Sequence, residues 1–333
     1  MSIDMKSNFF KLILHFRRQD LEAFKKEHDD LYEKAKKSGK HLEVTSHYYS
    51  VMSSVIEQYF GGNFHFVPPQ YEGQRLEDAL KSLHRYVGEK LKLKEGVKCV
   101  DLGCGVGGVI RDIAHTGAEL TGVTIAPNEA DMGNEFFASE GLSETCRIVT
   151  ADCQNTPFEN NSQDCAFAIY SLKYIPELDN VMKEVHRILR PGGKFLIYDL
   201  IKTQDYDAKN EEHKNIVGHL EYACGMPSLH TRMQMQKAAE AIGFELEEYE
   251  NLEETFGNKP FHYCFSSSPF FMWLVQSAII QKAVQVGEFL GVLPKGFEQF
   301  NRIFLSGTVK SIVDGGQRGI LSGAETLVFR KRQ

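Results

Sequence analysis

From Lys98 to about Tyr198, short apolar runs alternate with stretches whose apolar residues recur at helical spacing. "KCVDLG" reads as a strand and "GVIRDIAHTG" as a helix closed by Gly117. "AELTGVTI" is a second strand, followed by the helix "PNEADMGNEFFASEGL" with Pro127 in its first turn. "CRIVTAD" and "DCAFAIYSL" read as strands, "LDNVMKEVHRILRPGG" as a helix stopped by Pro-Gly-Gly, and "KFLIYDL" as a fifth strand. This alternation predicts right-handed βαβ crossovers and a parallel sheet. The central runs are nearly continuous in apolar residues, as strands buried on both faces should be.

The flanking patterns differ. Residues from about 8 to 38 predict one charged amphipathic helix ended by Gly39. Thr45–Phe66 is rich in aromatics and stops at a Pro-Pro pair, and Arg75–Leu93 has helical periodicity. Beyond Ile201, "TRMQMQKAAEAIGFELEEYENL" predicts a helix and then a strand. Polar positions at helical spacing make Phe270–Leu290 one amphipathic helix, lying on a core or on a membrane surface, and "ETLVFRKRQ" a closing edge strand. The chain divides into an N-terminal helical region (1–92), a central domain (93–252) and a C-terminal extension (253–333).

Composition narrows the class. The 333 residues are 42% hydrophobic and 25% charged, ordinary globular values. A net charge of −7 argues against a nucleic-acid partner. Seven cysteines without CxxC spacing suit a reducing compartment and predict neither disulfides nor a zinc cluster. No ligand spacing among the 12 histidines points to a metal. "FFKLILHF" is short and interrupted by Lys11, so no secretory signal is expected, and no apolar run reaches the length of a membrane span.

The chemistry concentrates in "CVDLGCGVGG". Asp101 closes the first strand, and Gly103, Gly105 and Gly107 follow. A dinucleotide turn would seat a pyrophosphate on the helix N-terminus. An acid two residues before the first glycine would repel it and suits an amine cation instead. S-adenosylmethionine carries that cation, a carboxylate and a sulfonium. Asp152, ending "TAD", can accept from an adenine amino group, with Cys153 beside it. Cys104 is read as a small buried filler. These motifs recur in the order and spacing of the class I methyltransferases. That class often places an acid at the end of strand two to hold the ribose hydroxyls. This chain has "VTIAPNE" there, so the resemblance implies that Thr124 or Asn128 substitutes, Asn128 being equally a helix-start residue. That resemblance implies an α/β, Rossmann-like fold: a mostly parallel seven-stranded sheet with an N-terminal helical cap and a C-terminal α+β extension.

From His47 to about Leu252 the chain also resembles the sterol C-methyltransferases, through "HYYSVMSSVIEQYFGGNFHF", "CVDLGCGVGG", "VTADCQNTPFENNSQD", "HRILRPGGKFLIYD" and "DYDAKNEEHKNI". The resemblance implies a sterol substrate and a place in the cytoplasm or peripherally on the endoplasmic reticulum membrane, and leaves room for membrane-surface association and a homo-oligomer. The departures matter too. The family's Tyr-Glu-Tyr-Gly-Trp-Gly element reads "IEQYFGG" here, its Glu and His after strand four are Tyr170 and Tyr174, its Tyr-Glu-Trp on strand five is Tyr198-Asp199-Leu200, and an aspartate is replaced by Cys224. The acceptor-facing set has changed while the cofactor set has not. This predicts the same cofactor, a similar flat lipid and a different carbon: C4, made nucleophilic as the enol(ate) of a 3-ketone. That combination resembles the nematode-type sterol C4-methyltransferases; the alternative readings are a side-chain C24 sterol methyltransferase, a methyltransferase of another prenyl or acyl lipid, and a non-catalytic sterol-binding scaffold.

Such chemistry needs a general base and an oxyanion donor. Glu57, His65 and Asp199 are candidate bases, and Tyr170 and Tyr174 candidate donors. His47, Tyr48, Tyr49, Phe60 and Phe64 either wall the sterol slot or pack the N-terminal helix on the sheet. Glu221 matches an acid of the family.

Overall fold

The computed structural model describes residues 13–60, 63 and 65–332; the side chains of residues 53, 54 and 56–60 lie outside that description. Helix α1 (Leu21–Ser38) starts at Asp20, whose carboxylate accepts from the Ala23 N–H, and ends on left-handed Gly39. The single helix expected from residue 8 is therefore interrupted before Asp20, where a side-chain cap outcompetes helix continuation. Helix α2 (Leu42–Phe60) carries the aromatic element, and α3 (Leu76–Lys90) leads to the sheet.

The core follows the expected alternation: β1 (Lys98–Leu102), α4 (Gly108–Ile113), β2 (Glu119–Thr124), α5 (Pro127–Ser139), β3 (Cys146–Thr150), β4 (Gln163–Ile169), α6 (Leu178–Ile188) and β5 (Leu189–Lys202). Then come α7 (Glu211–Ala223), α8 (Arg232–Ile242) and β6 (Phe244–Asn251). The C-terminal segment adds α9 (Tyr263–Ser266), α10 (Pro269–Gln276), α11 (Ala278–Phe289), α12 (Phe297–Phe300), α13 (Ser306–Gln317) and β7 (Leu321–Lys331).

The seven strands run in the order β3-β2-β1-β4-β5-β7-β6. β1 to β5 pair in parallel, and β7 is antiparallel to both its neighbours. β7 was expected at the edge but lies between β5 and β6. Its side chains are buried almost throughout, whereas β6 alternates buried or half-buried positions with exposed Glu245, Glu247 and Tyr249 and takes the edge. The stretch 270–290 is also not one helix: Ser277 adopts an extended conformation and splits it into α10 and α11.

Apolar residues of α3, α4 and α5 cover one face of the sheet, and those of α6 and α8 the other. The N-terminal and C-terminal regions meet above the first of these layers. Phe16 packs on Phe300 at 5.1 Å, and Phe24 on Phe304 at 5.3 Å. Among the described residues no helix is long and apolar enough to cross a membrane.

Candidate active site

The chain order reverses between β1 and β4, so a crevice opens beyond their C-terminal ends. The glycine turn fills one side of it. Gly103, Gly105 and Gly107 all have positive φ. At Gly103 the need is also steric: a Cβ there would lie 2.4 Å from the Cβ of Ser171, which follows β4. The Gly103 and Cys104 N–H groups both donate to the Val123 carbonyl, folding the turn over β2.

Asp101 is buried beneath this turn, and its Oδ2 has no hydrogen-bond partner among the described residues. Burial pushes its carboxyl well above the usual range. A buried polar atom without a partner is costly, so this oxygen has room to take a donor from a ligand. At the end of β2, Thr124 donates to the Glu129 carboxylate at 2.6 Å. Glu129 sits in the first turn of α5 and places a carboxylate beside the end of β2. Asn128 beside it is exposed. Asp152 is exposed beyond β3 and accepts from the Gln154 N–H at 2.8 Å. Cys153 is half-buried, its thiol pushed up to about 12 by burial and then by Asp152.

The other side of the crevice is aromatic. Tyr170 directly follows β4 with φ 53°, a strained conformation for a bulky residue. Its hydroxyl donates to the Gly323 carbonyl at 2.9 Å, so β7 holds it in place. Tyr174 lies one short turn later, and its hydroxyl meets that of Tyr49 from α2 at 2.7 Å. Burial pushes all three phenols up, keeping them neutral donors. Tyr48 is fully buried, and Cys224 donates to its hydroxyl at 3.8 Å.

Lys173 lies between these tyrosines, an unusual place for a lysine. It is 2% exposed, with Nζ 4.2 Å from the centre of the Tyr170 ring and 5.1 Å from that of Tyr174. Burial lowers its ammonium to about 8, against the opposing pull of Asp199. Asp199 on β5 accepts from the Lys173 N–H at 3.0 Å and the Leu200 N–H at 2.8 Å. Its own carboxyl is raised to about 6 by burial, partly offset by Lys173. His65 is buried near Tyr170, with ring centres 6.1 Å apart, and desolvation holds its imidazole well below the ordinary value.

Two further sequence candidates face elsewhere. His47 stacks on Phe24 at 4.3 Å and bonds the Phe24 carbonyl at 2.9 Å, tying α2 to α1. Glu221 accepts from the Leu229 N–H at 2.7 Å and lies 3.8 Å from Lys202. The side chains of Glu57 and Phe60, and all of Phe64, lie outside the described residues.

Sequence reasoning missed Lys173 and Glu129. Lys173 had one usable signal, its position between two tyrosines just past a strand end at the switch point. Glu129 follows the helix-starting Pro127 by two residues, where a first-turn side chain can reach back to its strand.

Strand order, switch point and a buried acid under a glycine turn together define a class I methyltransferase. A methyltransferase domain model matches residues 100–197. Sterol 4-C-methyltransferase strm-1 of Caenorhabditis elegans is 64% identical over 333 residues, all of both chains. Cycloartenol-C-24-methyltransferase 1 of Oryza sativa subsp. japonica is 31% identical over 90% of this chain and 88% of its own. Geranyl diphosphate C-methyltransferase from Streptomyces coelicolor A3(2) shares the fold, with TM-score 0.62 and 15% identity over 84% of this chain and 91% of that one. The chain belongs to the sterol C-methyltransferase family, and S-adenosylmethionine is its cofactor. The orphaned Asp101 oxygen fits that cofactor's ammonium group.

Proposed function

We propose that the enzyme methylates C4 of the sterol A ring, by way of the enolate of a 3-keto sterol. Asp101 would hold the cofactor's ammonium group, Glu129 with Thr124 the ribose hydroxyls, and Asp152 the adenine amino group, with Cys153 against the ring. When bound, the cofactor supplies an electrophilic methyl group to the nucleophilic carbon and leaves as S-adenosylhomocysteine.

The protein's own task is to make C4 nucleophilic. The C4 proton goes to His65, and the electron pair of the broken C–H bond spreads onto the 3-oxygen. That oxyanion needs donors already in place. The Lys173 ammonium and the paired hydroxyls of Tyr49 and Tyr174 supply them, while Asp199 anchors Lys173 through its backbone N–H. The observation that carries this reading is the buried Lys173 among Tyr170 and Tyr174 at the crevice. An ammonium there would oppose a side-chain carbocation and favours an anionic intermediate. The test is to incubate the enzyme with methyl-labelled cofactor and 3-keto or 3-hydroxy sterols, and to locate the product methyl by NMR. A label at C4 of the 3-keto substrate is expected; a label at C24 refutes the reading.

Access from a bilayer accompanies this proposal. An aromatic path runs outward from Tyr170 through Phe66 at 6.0 Å and Phe265 at 5.5 Å to Phe271 at 6.0 Å. It ends on α10, beside exposed Phe270 and Trp273. Ile279, Phe289 and Leu290 on and just after α11 are exposed as well, and this density of exposed apolar side chains suits a lipid surface.

A further inference from the structure

Behind His65 the structure carries a chain of side chains that the acceptor chemistry above does not use. His65 Nε2 lies 2.8 Å from His84 Nε2, and His84 Nδ1 lies 2.6 Å from the Asp112 carboxylate. His65 and His84 are both buried. Asp112, at 22% side-chain exposure, lies on the wall of a surface groove of about 630 Å³ with Gln70, Tyr71, Lys81, Arg85 and His115. We propose that Asp112, His84 and His65 form a proton-exit relay, carrying the C4 proton from the acceptor slot to this groove.

The relay follows from hydrogen-bond bookkeeping. The carboxylate accepts, so His84 Nδ1 carries a proton. A neutral His84 then has a bare Nε2, which accepts the Nε2–H of His65. His65 is thereby fixed in the tautomer whose Nδ1 has a free lone pair, the form a base requires. When Nδ1 takes the C4 proton, the Nε2–H of His65 passes to His84 Nε2. His84 becomes the imidazolium beside Asp112, and His65 returns to neutrality with its proton on Nδ1. One C–H bond is broken, two N–H bonds are formed and one N–H bond is broken; the substrate keeps the electron pair.

Electrostatics gives the transfer its direction. Desolvation opposes a resident charge on His65, and His84 and Lys173 add to that opposition. At His84 the same charge sits against a carboxylate. From there the proton leaves through Asp112, which lies on the groove wall. His84 and Asp112 act through His65 and are positioning residues.

This inference rests on the enolate reading, and the test separates the two. The enzyme is mixed with S-adenosylhomocysteine and a 3-keto sterol deuterated at C4, and loss of deuterium to water is followed beside full turnover. His84→Gln and Asp112→Asn should slow both by about 10–100-fold, with the sterol KM changed less than about threefold. Asp112→Glu, which keeps the charge, should recover most of the rate. Thermal midpoints and cofactor affinity check folding; if His84→Gln does not fold, the two Asp112 variants decide alone. Wild-type exchange with both Asp112 variants within about twofold of it overturns the relay. Wild-type methylation at another carbon, with no exchange at C4, overturns the enolate reading and the relay with it.

Discussion

The hydroxyls of Tyr49 and Tyr174, contributed by α2 and by the turn after β4, meet at 2.7 Å inside the crevice. Each phenol is the other's partner, so removing either hydroxyl leaves its mate without this bond. Tyr49→Phe and Tyr174→Phe should each lower kcat about 10–100-fold if the pair donates to the developing oxyanion. The double variant should cost little more than either single one, because the two hydroxyls act as a unit. Stability should fall by about 1–2 kcal/mol at most. Steady-state kinetics beside urea melts checks this, and unchanged kcat in both variants would remove the pair from the mechanism.

Lys173 and Asp199 set a pH window. Asp199 is raised to about 6 and Lys173 lowered to about 8, each chiefly by burial. The charged pair is therefore fully present only between these values, and kcat should be bell-shaped with limbs near them. Stability follows the proton count. Between the ordinary carboxylate range and about pH 6, the folded chain holds a proton on Asp199 that the unfolded chain has lost, so this group's contribution falls as pH rises. Between about pH 8 and the ordinary lysine range, the unfolded chain holds the proton that folded Lys173 has lost, so stability rises with pH. Lys173→Met should abolish the alkaline rise and the activity together. A variant that keeps the wild-type pH–rate profile would disprove the assignment.

Asp101 makes a separate prediction. Its buried Oδ2 has no partner among the described residues, and burial raises its carboxyl well above the usual range. An arriving ammonium should stabilise the anion and expel a proton, so cofactor affinity should increase with pH below the raised value. Calorimetric titration in buffers of different ionisation enthalpy reads that proton directly. Asp101→Asn should weaken binding about tenfold or more and abolish proton release. The variant without cofactor should melt no lower than the wild type, since a neutral amide avoids the proton uptake that burying this carboxyl requires.

What the sequence disclosed, and what it hid, divides along contact range. The glycine turn, Asp101 and the βα alternation are local patterns, and local backbone physics decides them. The place of β7 is a pairing with β5 across more than a hundred residues, and no run of "ETLVFRKRQ" announces it. Lys173 drew no notice in the sequence because its burial comes from packing of elements distant in sequence. The relay is hidden for the same reason: His65, His84 and Asp112 sit on a loop and two separate helices. His65 and Tyr170 were legible as candidates, but the contacts that join them to their partners were not.

The apolar face of α10 and α11 gives the last prediction. Phe289 is 88% exposed and Leu290 67%, values a water-facing surface does not favour without a use. Under the proposed bilayer access, sterol would enter along the ring path from Phe271 to Tyr170, which ends at this face. The protein should float with sterol-containing phosphatidylcholine vesicles. Phe289→Glu with Leu290→Glu should reduce that binding by about tenfold or more, since each buried side chain of this size contributes about 1.5–3 kcal/mol. Turnover of sterol delivered by cyclodextrin should be unchanged, because neither residue belongs to the crevice. Equal flotation of variant and wild type would refute the lipid assignment. So would a wild-type protein that ignores vesicles and gains mass with concentration in sedimentation, which would give the face to a second copy of the chain.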